Sequence, residues 1–421
     1  MTSPTNVVIT GVGVVSPIGI GRTPYWESLN AGRSGVQVLP ALADLDVPVR
    51  IGAPVSDFQA RQYVKPRKAL KVMSREIQLG FSASALAVED AQLDIDQVDP
   101  DRFGVVYGSE MLYCEPEELL PVYKRCMVDG KFDFSRWGEA SMAEMYPLWM
   151  LMYLPNMTAC HIGISHDARG PNNTICLGDA SGLLALIEAV RIIARGRVDV
   201  MLAGATSSRI STPPMVYRGM LNLSRRNDDP TKASRPFDAD RDGLVNGEGA
   251  GAIVLESEQH ARRRGATILA TLAGWDVRFG ALEIPGAHED AIVHSINGAL
   301  QQAELDASEV DHVNAHATGT LEGDALEARA IRRALADVPV TALKSYFGHL
   351  GPASGVIELI TSILALQSGH VPMTLNYETP DPQCPVAVIR DAPHKVRHPN
   401  AVALSQSTTG QSAAVVIAKR D

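Results

Sequence analysis

The chain has no uninterrupted apolar run approaching the roughly 18 residues that would span a bilayer. Its N-terminus carries no basic segment followed by an apolar stretch, so a secretory leader is not expected. Positive charge is in deficit: the formal net charge of −10 over 421 residues argues against a general polyanion binder, and so against nucleic acid as a partner. Cysteine is sparse. The five residues, Cys114, Cys126, Cys160, Cys176 and Cys384, are odd in number and lack metal-ligand spacing, which points to a reducing cytoplasm and to no bound metal. One local exception to the acidic balance is Arg61, Lys65, Arg67, Lys68, Lys71 and Arg75. This cluster reads either as a solvated helical face or as a dock for an acidic partner.

A chain of this length is ample for a large core and usually folds as more than one domain-sized unit. Apolar β-branched runs predict strands at 7–10, 103–108, 198–205, 252–256, 267–274, 310–315, 340–344, 402–405 and 414–418. Helical periodicity predicts helices over 75–92, 181–195 and 324–335. Strands separated by helices imply an α/β layered fold. Residues 111–155 stand out for Met142, Met145, Trp149, Met150, Met152 and Tyr153. The charged stretch 257–266 suits a connection between halves.

The most informative position is 179. Gly170-Pro171-Asn172 leads through a short apolar strand to Gly178-Asp179-Ala180-Ser181-Gly182 and then a helical pattern. This turn resembles the nucleophile turn of the β-ketoacyl-acyl-carrier-protein synthases of the thiolase superfamily, where a cysteine stands at the position held here by Asp179. Further motifs in family order carry the resemblance. They include Val7-Val8-Ile9-Thr10-Gly11-Val12-Gly13, Arg235-Pro236-Phe237-Asp238, Gly247-Glu248-Gly249-Ala250-Gly251, His316-Ala317-Thr318-Gly319-Thr320, Lys344-Ser345 with Gly348-His349, and Thr379-Pro380-Asp381-Pro382. The resemblance implies an α/β thiolase fold, a duplicated α/β/α/β/α five-layer sandwich. The halves are expected at residues 1–256 and 257–421, with 111–155 covering an acyl pocket and part of a dimer interface.

The resemblance also implies chemistry. A condensing enzyme loads an acyl chain on its cysteine, and two histidines stabilise the enolate of a decarboxylated malonyl thioester. Here the matching residues are His316 and His349, with Lys344 ordering the network. Thr318, Thr320, Phe347 and Thr408 fall where substrate-binding positions are expected. Thr408 also replaces the aromatic that gates the family's pocket, and Ala317 stands where the family has glycine. A carboxylate cannot form a stable thioester, so ordinary condensation is expected to be absent. At a helix N-terminus Asp179 is expected to be ionised, bonded to backbone N–H groups, and paired with a protonated His316 or His349.

No cofactor is expected, and acyl carrier protein is the expected partner of a homodimer or of a heterodimer with a cysteine-bearing ketosynthase. Three readings follow. The first, favoured by the surviving histidines, is decarboxylation of malonyl-carrier protein. The second is a non-condensing partner resembling a chain-length factor. The third makes Asp179 itself a general base.

Overall fold

The computed structural model describes residues 6–217, 222–280 and 288–420. Its principal strands form two groups of five. The first holds β1 (Val7–Ser16), β2 (Phe103–Gly108), β3 (Asn172–Ile175), β4 (Val200–Ser208) and β5 (Glu248–Ser257). The second holds β6 (Ala270–Phe279), β7 (Val310–Asn314), β8 (Pro339–Thr341), β9 (Asn400–Gln406) and β10 (Gln411–Ala418).

The sheet runs β3-β2-β4-β5-β1 in the first group and β8-β7-β9-β10-β6 in the second. Numbered within its own group, each is ordered 3-2-4-5-1. The directions match as well. β3, β2 and β4 are mutually parallel, and β5 and β1 then alternate antiparallel. β8, β7 and β9 are parallel, and β10 and β6 alternate likewise. The duplication is therefore written in connectivity. The two groups join edge to edge where Val8 lies opposite Thr271 and Ile9 opposite Ala270.

Five helices complete the layers: α1 (Arg75–Asp90), α2 (Ser181–Ala194), α3 (Glu289–Ala303), α4 (Leu321–Leu335) and α5 (Pro352–Ser368). α2 and α5 pack on each other and on strands of both groups, forming the middle layer. α1 covers the outer face of the first group, and α3 packs on the second with α4 against it. The period of two along each strand sorts its side chains between these spaces. On β4, Met201, Ala203 and Ala205 enter the central core while Val200 and Leu202 enter the outer one. On β10, Val415 and Ile417 point inward and Ala414 and Val416 outward.

The predicted strands are all present, several of them longer than expected. The run predicted over 340–344 stops at Thr341, and Lys344 begins a short helix (Lys344–Phe347). Helices α3 and α5 were not predicted from periodicity. In α5 every residue from Pro352 to Leu366 is buried, so there is no polar face to give a 3.6-residue period. The 257–266 connection contains a helix (Glu258–Arg263) whose first turn is capped by the Ser257 hydroxyl. We propose the end of β5 as the boundary between the halves, giving residues 1–256 and 257–421.

Residues 111–155 build the helices Pro116–Arg125 and Trp137–Glu144 over a small core of Val122, Cys126 and Ala140, with Met145 packed against it. Met142 and Met150 are 88% and 60% exposed, so plain core packing does not account for this segment. Among the described residues no helix is long and apolar enough to cross a membrane.

Candidate active site

In each half the three parallel strands end at one place, the usual location of a crevice in an α/β sheet. β3 runs into the turn that holds Asp179, just before α2. β2 is followed by Glu110 and β4 by Arg209. From the second half, β7 leads to His316, β8 to Lys344 and His349, and β9 to the turn holding Thr408. The site is thus assembled from topologically equivalent strand ends of both halves.

Asp179 is buried, and its carboxylate is held by side chains. Arg209 Nη2 donates to Oδ1, and His349 Nε2 lies 3.1 Å from Oδ2. Its backbone carbonyl accepts from the Ser405 hydroxyl at 3.0 Å. No backbone N–H reaches the carboxylate among the described residues, which corrects the expectation of helix-terminal hydrogen bonds. Arg209 is only 2% exposed on its side chain. Its Nε and Nη2 also donate to Glu110 at 2.9 and 2.7 Å, and Glu110 accepts the Ser207 hydroxyl as well. One buried guanidinium therefore bridges two carboxylates.

Burial opposes ionisation of Asp179, but Arg209 outweighs it, aided by His349 and His316, and holds the carboxyl well below its ordinary range. For His349 burial dominates, and the ring falls to about 4 despite the neighbouring Asp179. Burial and the Lys344 charge push His316 well down. Both imidazoles are neutral near pH 7, so the cation paired with Asp179 is Arg209 and not a histidinium. The reason is distance from water: an imidazolium here would lose its hydration beside two fixed cations.

His316 and His349 stand edge to face with ring centroids 5.6 Å apart. His316 is fixed by its own N–H to Glu327 at 2.8 Å, and Lys344 Nζ donates to its carbonyl and lies 3.5 Å from Nδ1. Lys344 also donates to Glu358 at 2.6 Å, and burial raises the Glu358 carboxyl to about 7. His349 Nδ1 sits 3.4 Å from the Ser354 hydroxyl. The four residues expected to form the centre, Asp179, His316, His349 and Lys344, are brought together.

The expected substrate positions divide. Thr318 and Thr320 are half-buried, with their hydroxyls 3.0 Å apart at the start of α4. Thr408 is exposed in the turn between β9 and β10. Phe347 is a correction: it is completely buried in the central core, its ring 6.5 Å from that of Tyr25, so it packs the fold and faces no substrate. The sequence reading missed Arg209, Glu110, Glu327 and Glu358. An arginine directly after a strand that carries no charge, as Arg209 after β4, was the available signal.

Asp179, His316 and His349 offer ligand atoms within 4.8 Å of one another. Yet both carboxylate oxygens already accept from Arg209 and His349, and a metal there would meet the guanidinium charge. The donor set does not fit a resident cation.

Family models match most of the chain: "Beta-ketoacyl synthase, N-terminal domain" over residues 5–261 and "Beta-ketoacyl synthase, C-terminal domain" over 269–378. The chain belongs to the β-ketoacyl synthase family. It is 37% identical over 389 residues to a putative polyketide β-ketoacyl synthase 1 of Streptomyces halstedii, covering 90% of each chain. Among solved structures it resembles the ishigamide ketosynthase/chain length factor, with a TM-score of 0.87 and 26% identity over 100% of both chains. It also resembles a type II polyketide synthase acyl-carrier protein complex with its ketosynthase bound to the hexaketide (TM-score 0.83, 28% identity, 100% of both chains). This β-ketoacyl synthase family member thus keeps the thiolase fold while position 179 holds a carboxylate in an ion pair.

Proposed function

We infer that the chain is a non-condensing subunit, resembling a chain-length factor, that partners a cysteine-bearing ketosynthase in fatty-acid or polyketide assembly on acyl carrier protein. The observation that carries this is the Asp179 carboxylate, locked between Arg209 and His349 Nε2. The ion pair occupies the place of the attacking atom and uses one of the two imidazole donors that an enolate would need.

The surviving histidines have structural work in this setting. His349 bonds the ionised Asp179, and His316 packs edge-on against it. Their retention does not require turnover. A similar solved structure carries a ketosynthase with a chain length factor, and another a ketosynthase with an acyl-carrier protein, which supports the same kinds of partner here. Arg61, Lys65, Arg67, Lys68 and Lys71 are exposed and form no ion pair among the described residues, so this cationic ridge suits an acidic carrier protein. The five thiols are all free, in keeping with a reducing cytoplasm.

Decarboxylation of malonyl-carrier protein is the second reading. It is favoured by the neutral His316, whose Nε2 has no hydrogen-bond partner among the described residues. Against it stands the ionised Asp179: two like charges about 4 Å apart cost on the order of 4 kcal/mol at an effective dielectric of 20. The deciding experiment is intact-mass analysis of malonyl-carrier protein incubated with the chain. No conversion to acetyl-carrier protein is expected. A 1:1 complex with a co-expressed cysteine-bearing ketosynthase is expected by native mass spectrometry. Conversion that disappears in His316→Ala would establish the decarboxylase instead.

A further inference from the structure

Ser208 and Ile210, the chain neighbours of Arg209, line a cavity of about 540 Å3 whose wall does not include Asp179. Leaving β4, side chains alternate: Ser207 and Arg209 meet Glu110, while Ser208 and Ile210 line the cavity. Leaving β2, Glu110 turns toward Arg209 and Tyr113 belongs to the cavity wall. Glu76, in the same wall, is pushed up to about 7 by burial and further by the Glu110 charge, so the pair stands within electrostatic reach of the cavity.

The pair fills its space tightly. Arg209 heads the largest fully buried side chains of the protein. On its other side is Gly351, where an added Cβ would stand 2.8 Å from three atoms of the guanidinium group. Backbone on one side, Glu110 on the other and Asp179 at the tip leave the guanidinium no room to move.

We propose that the buried Arg209–Glu110 pair is a plug that closes an interior passage between position 179 and this cavity, and so excludes any chain of more than a few carbons from position 179. The loss of condensing chemistry in this chain is then secured twice, by the carboxylate and by the plug. Removing the plug joins the cavity to the site and creates room for an acyl chain. The inference goes beyond the partner-subunit reading and does not rest on it, because it concerns space behind position 179 and not the reactivity of Asp179.

The test uses three full-length variants. Asp179→Cys supplies a reporter thiol. Asp179→Cys/Glu110→Ala/Arg209→Ala removes the plug, and Asp179→Cys/Glu110→Gln/Arg209→Met removes its charge but keeps its volume. Each is treated with iodoacetamide or N-octyl iodoacetamide, and labelling at position 179 is followed by peptide mass mapping, which separates it from Cys176. In Asp179→Cys the octyl reagent is expected to react at least tenfold more slowly than iodoacetamide. The alanine variant is expected to close that gap, and the methionine variant to keep it. Equal rates for both reagents in Asp179→Cys overturn the proposal without recourse to the other variants. So does a gap that persists in an alanine variant folded by circular dichroism, or a position 179 that neither reagent reaches in any variant. A failure here leaves the partner-subunit reading standing.

Discussion

Replacing Arg209 by Met keeps most of the side-chain volume and removes a cation that binds both Asp179 and Glu110. The Arg209 side chain is 2% exposed and binds both carboxylates, so the loss is that of a buried pair broken on one side, about 3–5 kcal/mol. At roughly 2.1 cal/mol/K per residue, a chain of this length loses about 1 °C in Tm per kcal/mol, which gives a fall of about 3–6 °C. The pH dependence has a definite sign. In the native protein Asp179 is depressed below 3.8, so its stabilisation is present above that value and fades only in acid. Without Arg209, burial raises the carboxyl above its unfolded value, and the folded state then favours the protonated form. The deficit of Arg209→Met is therefore greatest at pH 7.5 and shrinks at pH 5. Scanning calorimetry at the two pH values measures it. Adding Asp179→Asn and Glu110→Gln to Arg209→Met should recover most of the loss, because a neutral cluster of similar shape leaves no orphan charge. A fall below about 1 °C, or a deficit that does not change with pH, would refute the view that these three groups form one ion-paired unit.

Three further outcomes are expected. Glu76 is raised to about 7 mainly by burial, so its protonated form stabilises the fold below pH 4.5 and that contribution is lost as pH rises through 7. Glu76→Gln should gain up to about 3 kcal/mol at pH 8 and little at pH 5 in paired melting curves. Ala317 sits at φ 32°, a conformation costing about 1–2 kcal/mol for a residue with a Cβ, against about 0.5–1 kcal/mol of extra entropy lost by glycine. Ala317→Gly should therefore raise Tm by about 1 °C. Zinc at micromolar excess should move Tm by less than about 1 °C, because Arg209 and His349 already hold Asp179, and a larger dose-dependent rise would show a real metal site.

The sequence made some parts of this structure legible and hid others for identifiable reasons. Alternating apolar strands and the motifs around His316, Lys344 and His349 announced themselves because local pattern and chemistry coincide there. α5 stayed hidden because burial on every side erases the periodicity that reveals a helix. Arg209 and Glu110 stayed hidden because 99 residues separate them and neither sits in a recognised motif. Only the parallel pairing of β2 with β4 brings their strand ends together. Phe347 misled in the opposite way: it lies within a functional motif, yet its side chain serves the core.

The matching strand order of the two halves has an evolutionary consequence. One copy now supplies the anionic side of the centre and the other its imidazoles and lysine, so the two copies can be edited independently. A lineage could retire the nucleophile by rewriting the turn before α2 and the residues after β2 and β4, while the second copy continued under its former constraints. Such a chain inherits its role one half at a time, and the first half should behave as an exchangeable cassette between working and silent paralogues.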